Sequence, residues 1–162
     1  MYLSNNFIET LESIVGKNNV IANGDSLQQY GRDYTEDLFF HPGCVVLPET
    51  PEVVAAVLKC CNENNVPVYT RGAGTGLSGG CLPVKGGVVL STEKLNRIIH
   101  IDTDNFQATV QPGVINEVFR SAVADLVLDY PPDPASKGSC FLGGNIAHGS
   151  GGPRAVKYGT TR

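Results

Sequence analysis

A chain of 162 residues with 41% apolar side chains is long enough to bury a real core and short enough for one domain. A net charge of −4, with the 12 lysines and arginines scattered, argues against nucleic acid as a partner, because phosphate-backbone binding needs clustered positive charge. No apolar stretch approaches the ~20 residues of a membrane span, and Met1-Tyr2-Leu3-Ser4-Asn5-Asn6 lacks the basic and apolar regions of a signal peptide, so a cytoplasmic protein is expected.

In chain order, Ser4 to Val15 reads as an amphipathic helix, with Ser4 as cap, apolar residues at Phe7, Ile8, Leu11, Ile14 and Val15, and Gly16 as its stop. A short helix is expected over Ser26 to Gly31. The mixed-charge segment Arg32-Asp33-Tyr34-Thr35-Glu36-Asp37 after it reads as a solvated loop. Cys44-Val45-Val46-Leu47, ended by Pro48, is a strand. Thr50 caps the next helix, with Pro51 at its first position and apolar residues at Val53, Val54, Val57, Leu58 and Cys61. That helix delivers the chain to a second strand, Val66-Pro67-Val68-Tyr69-Thr70, closing a β-α-β unit.

The second strand empties into Arg71-Gly72-Ala73-Gly74-Thr75-Gly76-Leu77-Ser78-Gly79-Gly80, where five of nine residues from Gly72 onward are glycine. Such a backbone takes positive φ at several points and carries few side chains, so its N–H groups can converge on an anion. A plain connection between strands needs fewer glycines and fewer residues. A Walker A loop requires lysine and then serine or threonine directly after its last glycine, but Gly79 is followed by Gly80 and Cys81, which discounts a nucleoside triphosphatase. The dinucleotide fingerprint GxGxxG is present as Gly74, Gly76 and Gly79, with Glu93 near the spacing of a ribose-binding acid. It fails on context, because its last glycine should open a helix that meets the pyrophosphate. Here Cys81-Leu82-Pro83-Val84-Lys85-Gly86-Gly87 leads instead to a strand at Val88 to Ser91. What remains is a strand, a backbone nest for pyrophosphate, and another strand.

Further strands are expected at Ile98 to Asp102 and Ala108 to Val110, separated by a turn at Asp104-Asn105. After a turn at Gln111-Pro112-Gly113, a helix is expected over Val114 to Val123, with Val114, Val118, Ala122 and Val123 on its apolar side. A second glycine cluster then runs from Pro131-Pro132-Asp133-Pro134-Ala135-Ser136 to Gly151-Gly152. Its prolines fix an extended approach, and Gly143-Gly144 let backbone come close to something flat or to another strand. Two such clusters suggest one long ligand held by two loops. The five cysteines are an odd number without CxxC spacing, and His41, His100 and His148 form no ligand pair, so no metal site is expected. Cys60 and Cys61 read as small buried apolar residues.

The loop 71–80, followed by Pro131 to Ser136, Gly143-Gly144-Asn145-Ile146-Ala147, Gly151-Gly152 and Lys157-Tyr158-Gly159, resembles the FAD-linked oxidases of the vanillyl-alcohol oxidase and p-cresol methylhydroxylase (PCMH) fold. Within them it is most similar to the branch of the glycolate oxidase flavoprotein subunit and the D-lactate dehydrogenases, over nearly the whole chain. The resemblance implies an α+β fold, an FAD-binding domain of PCMH type: a β-α-β subdomain and the start of a second, mixed-sheet subdomain, truncated. Residues 1–162 would be its N-terminal portion, with a helical lead-in over about 1–40 and the substrate cap domain absent.

It further implies that Arg71, Gly72, Ala73, Gly74, Thr75, Gly76, Leu77 and Ser78 hold the FAD pyrophosphate. Pro134, Ser139, Gly143, Gly144, Asn145 and Gly152 would line the flavin and ribityl side, with His148 as a possible flavin neighbour. The loop carries no histidine for covalent attachment, so FAD is expected to be non-covalent. The implied reaction is oxidation of a small 2-hydroxy acid, of glycolate or D-lactate type, by hydride transfer to FAD, the acid being held by a missing C-terminal domain. No residue here is assigned as catalytic, neither Asp133 nor His148 included, and the segment alone is expected to be inactive. The alternative is a truncated nucleotide-binding module with no activity of its own.

Overall fold

The computed structural model describes residues 3–162; Met1 and Tyr2, the start of the stretch expected to carry no signal peptide, lie outside the described residues. The chain divides into two compact units, Met1–Lys94 and Leu95–Arg162.

In the first unit, Ser4 caps α1 (Asn5–Val15) by accepting from the Phe7 N–H, and Gly16 ends it at φ 87°. A short strand, β1 (Val20–Ile21), follows, then α2 (Asp25–Gln29), β2 (Cys44–Val46), α3 (Pro51–Glu63), β3 (Val68–Arg71) and β4 (Val88–Ser91). Thr50 caps α3 through the Val53 N–H, with Pro51 in the first turn where no N–H is needed. The sheet order is β1-β2-β4-β3, with β1 antiparallel to β2 and the other pairs parallel. The β-α-β unit β2-α3-β3 is therefore present, but β4 is inserted between its two strands.

β2 and β4 are buried at every position, as parallel strands covered on both faces are. Their side chains alternate. Cys44, Val46, Val88 and Leu90 face the α1 and α3 residues Phe7, Leu11, Val15, Val57, Cys60 and Cys61, whereas Val45 and Val89 pack with Ile21, Leu27, Tyr30 and Tyr69. Cys60 and Cys61 are buried and free, and burial pushes the Cys61 thiol up to about 11 and that of Cys44 to about 12, so these thiols stay neutral in the core. Leu58, expected on the apolar side of α3, is exposed. The core stripe runs through Val57, Cys60 and Cys61, which leaves Leu58 one step around the helix.

In the second unit, β5 (Ile98–Asp102) and β6 (Gln107–Val110) form an antiparallel hairpin with a register shift between Ile98 and His100. The Asp102 carboxylate accepts from the N–H groups of Asp104 and Asn105, which makes the expected turn. Helix α4 (Asn116–Ala124) begins two residues later than expected, so its inner face is Asn116, Phe119 and Val123, spaced three and four apart. Val114 is buried ahead of the helix, and Val118, expected inside, is 53% exposed. The second glycine cluster, expected to be a loop, contains a helix, α5 (Leu142–His148), and a single turn, α6 (Ala155–Tyr158), follows. The class is the expected α+β, with parallel and antiparallel pairs in the sheet of the first unit. Among the described residues, no helix is long and apolar enough to cross a membrane.

Candidate functional site

The first candidate site grows out of the carboxyl end of β3. Because β3 and β4 are parallel neighbours, the connection from Gly72 to Gly87 cannot be a hairpin; it must return the chain to the start of β4, and it does so without a helix. Gly74 and Gly79 take φ of 72° and 69°, which bends the loop in a way that L side chains resist. Among the described residues, the seven backbone N–H groups from Gly72 to Ser78 donate to no protein acceptor. Buried or half-buried N–H groups are normally paired, so the free donors of Gly72 to Gly76, half-buried and continued by the exposed Leu77 and Ser78, form a surface suited to an acceptor.

The segment 32–35, read as a solvated loop, is instead stitched to this site. Tyr34 donates its N–H to the Gly76 carbonyl at 3.0 Å, and Gly79 donates its N–H to Thr35 Oγ1 at 2.8 Å. Thr35 thus takes one of the fingerprint amides away from any ligand. Sequence reasoning missed this because the partners are some forty residues apart, and only the polar side chains of the segment hinted at it.

Arg71 is 8% exposed, and its Nη1 donates to the Arg32 carbonyl at 2.8 Å and lies 3.3 Å from Cys81 Sγ. Its Cζ sits 5.5 Å from the centre of the Tyr30 ring. The Tyr30 hydroxyl donates to the Glu93 carboxylate at 3.1 Å, and Ser91 Oγ donates to the same carboxylate at 3.3 Å. Burial, followed by the neighbouring Glu93 charge, raises the Tyr30 hydroxyl to about 12. Glu93, considered above for a ribose, is engaged with Tyr30 and Ser91.

The second candidate site lies in the other unit. The residues from Pro131 to Cys140 reach α5, whose Leu142 N–H donates to the Val114 carbonyl, while the Asn116 N–H donates to the Cys140 carbonyl. Gly143 is held against Pro112: a Cβ there would fall 2.6 Å from Pro112 Cβ. Gly152, at φ 133°, packs on the Asp133 backbone. Gly144 is different, since a Cβ at this helical position would meet nothing within 4 Å. Folding therefore gives no reason for glycine at 144, whereas close approach of a flat ligand does. Asn145 is buried with an unpartnered Nδ2, and Asn116, a fully buried side chain that sequence reasoning passed over, has both amide atoms unpartnered. Such orphaned groups carry hydrogen-bonding capacity that the chain itself leaves unfilled.

Pro134 is half-buried, Ser139 is exposed with its Oγ donating to the Ser136 carbonyl, and His148 is exposed at the end of α5. Asp133 is held by Arg120 Nη1 at 3.0 Å and Lys137 Nζ at 2.9 Å, and the Lys137 hydrogen bond keeps its carboxyl below the usual range. It is a tether for this stretch and not a free base. An apolar cavity of about 570 Å³ in this unit, bounded by Phe106, Phe119, Leu128, Leu142 and Ile146, contains none of the predicted site residues.

Replacing Gly144 by alanine separates folding from binding. Alanine in a helix is favoured over glycine by roughly 0.5–1 kcal/mol, so the variant is expected to unfold at higher urea than the parent. If a ligand lies against this helix, the same methyl group lowers affinity by about tenfold in a titration. A variant that gains stability and binds unchanged would remove Gly144 from the site.

Residues 42–162 match the family described as FAD binding domain. Glycolate oxidase subunit GlcD of Bacillus subtilis (strain 168) is 40% identical over 154 residues, covering 95% of this chain and 33% of that protein. D-lactate dehydrogenase of Anaerostipes hadrus is 41% identical over 161 residues, covering 96% of this chain and 32% of that protein. Among solved structures, p-cresol methylhydroxylase with substrate bound superposes with a TM-score of 0.68 at 30% identity, over 76% of this chain and 25% of that one. The chain thus spans about a third of the length of the curated relatives it matches.

Proposed function

The chain belongs to the FAD binding domain family, and from that premise we propose that the loop 71–78 holds the FAD pyrophosphate without covalent attachment. The observation that carries the proposal is the run of unpaired N–H groups from Gly72 to Ser78, because backbone amides converging in a nest are the usual way a loop binds phosphate oxygens. In this reading Thr75 and Ser78 can add hydroxyl donors, and Gly72, Ala73, Gly74, Gly76 and Leu77 contribute main chain only. In the second unit, Pro134, Ser139, Gly143, Gly144, Asn145, His148 and Gly152 are assigned to the flavin and ribityl side. The open space over Gly144 and the orphaned amide of Asn145 support that assignment.

FAD supplies the hydride acceptor when bound, and the protein supplies orientation and electrostatics. The oxidation we propose is that of a small 2-hydroxy acid. The names of the glycolate oxidase and D-lactate dehydrogenase relatives support this class. Because this chain spans about a third of those relatives, we assign recognition of the acid to polypeptide other than these two sites. The second cluster supplies no free carboxylate for proton abstraction, since Asp133 is tied to Arg120 and Lys137. A cytoplasmic setting belongs to the same proposal and is supported by five free cysteines.

The test is a visible absorption spectrum of the purified chain during titration with FAD. Saturable flavin bands are expected, and acid precipitation should release the flavin into the supernatant. Absence of binding by the folded chain would overturn the proposal. Anaerobic addition of glycolate or D-lactate to the loaded chain should leave the flavin oxidised while dithionite bleaches it. Bleaching by either acid would show that substrate recognition lies in these residues after all.

A further inference from the structure

The glycine loop is folded around a side chain. A Cβ on Gly74 would fall 2.0 Å from Arg71 Nη2 and 2.5 Å from its Cζ, so the guanidinium lies directly against the main chain at this position. Its Nη1 donates to the Arg32 carbonyl, and its Cζ lies over the Tyr30 ring. Gly74, together with Arg32, Tyr30 and Cys81, therefore encloses the guanidinium, which fits an exposure of 8%. Among the described residues, Arg71 makes no ion pair. The carboxylates of Asp33 and Glu93 act on its neighbours Cys81 and Tyr30 and not directly on it; a buried cation with no directly paired carboxylate is unfavourable by itself, and an anion bound on the other side of the loop relieves it.

We propose that Arg71 is a positioning residue: its guanidinium is the form on which residues 72–79 fold, and its charge, not directly paired and felt through the loop, tunes the free amides for a diphosphate. The proposal rests on the loop being the pyrophosphate site and adds the role of the residue behind it. It differs from direct contact, because Nη1 is directed to Arg32 and Nη2 lies against Gly74. The steric side of the proposal couples two positions: glycine is needed at 74 partly because arginine stands at 71.

The experiment compares Arg71→Lys and Arg71→Met with the parent, each with and without Gly74→Ala. Amide 1H–15N spectra of the ligand-free chain read loop shape, and FAD titrations at low and high salt read charge. In Arg71→Met, the resonances of Gly72 to Ser78 are expected to move while those of α1 and α3 stay in place. FAD affinity should fall on the order of tenfold to a hundredfold, with a weaker dependence on salt. Arg71→Lys should keep the salt dependence but not restore the loop resonances, since an ammonium lacks the planar fork. Gly74→Ala should lower the urea midpoint more in the parent than in Arg71→Met, where Nη2 no longer meets the added methyl group.

Loop resonances unmoved by Arg71→Met, or an equal effect of Gly74→Ala in both backgrounds, would overturn the proposal. If Arg71→Met does not fold, the lysine variant decides by the same spectra and the same coupling. A parent that binds no FAD would defeat the functional reading, while the spectra and the coupling still judge Arg71.

Discussion

Replacing Gly74 by aspartate is expected to abolish FAD binding, with affinity lowered at least about a hundredfold. Three effects act together at this position. Gly74 has φ 72°, a conformation that disfavours an L residue by roughly 1–2 kcal/mol. The new Cβ would press on the Arg71 guanidinium, 2.0 Å away at Nη2. The new carboxylate would be directed at that guanidinium and neutralise it, removing the charge proposed to draw the diphosphate to the amides and turning an attraction into a net-neutral pair. A hundredfold loss corresponds to about 2.7 kcal/mol, so the combined effect is sufficient. Gly74→Ala, which keeps the strain and the contact but adds no charge, should lose less. Titration of both variants beside the parent reads the difference, and an aspartate variant that binds FAD as the parent does would remove the loop from the cofactor site.

Gly152→Ala is expected to have the largest effect on stability in the second unit, about 3 kcal/mol. Its Cβ would fall 1.9 Å from the Asp133 carbonyl oxygen and 2.4 Å from the carbonyl carbon, and φ at this position is 133°. The atoms it meets are backbone, on a stretch stiffened by Pro131, Pro132 and Pro134 and tethered by Asp133 to Arg120 and Lys137, so the neighbour cannot step aside. Contact of this kind with strain belongs to the short list of mechanisms behind the upper end of the usual mutational range, about 3 kcal/mol. Urea denaturation should show a lower midpoint with an unchanged slope. A midpoint within error of the parent would mean that the packing of the 131–134 stretch on Gly152 does not persist in solution.

Most of the local elements were legible because their causes are local. Ser4 and Thr50 cap their helices, Pro51 opens α3, and the apolar runs of β2 and β4 mark strands covered on both faces. The glycine loop was legible for the same reason, since excess glycine in one stretch needs no distant partner to be noticed. The inner faces of α3 and α4 were only partly so, because Leu58 and Val118 satisfy an apolar pattern yet lie outside the core. In α4 the face rotated with the start of the helix, which is set by Asn116 donating to Cys140 and not by any residue preference nearby. Helix α5 was hidden by Gly143 and Gly144, whose low propensity is outweighed by packing of Leu142 in the core and of Gly143 on Pro112.

By itself the sequence determined the kind of elements, the glycine loop at the end of a strand, the absence of a helix after it and, through a chain of motifs, the family. Only the tertiary structure decided that β4 lies between β2 and β3, that Arg32, Tyr34 and Thr35 brace the loop, and that Arg71 stands behind Gly74. The division has a physical cause. Caps, periodicity and glycine content act over a few residues, whereas strand order and the bracing of the loop are bonds between segments tens of residues apart. Their partners are chosen by burial and geometry, which no local stretch of sequence records.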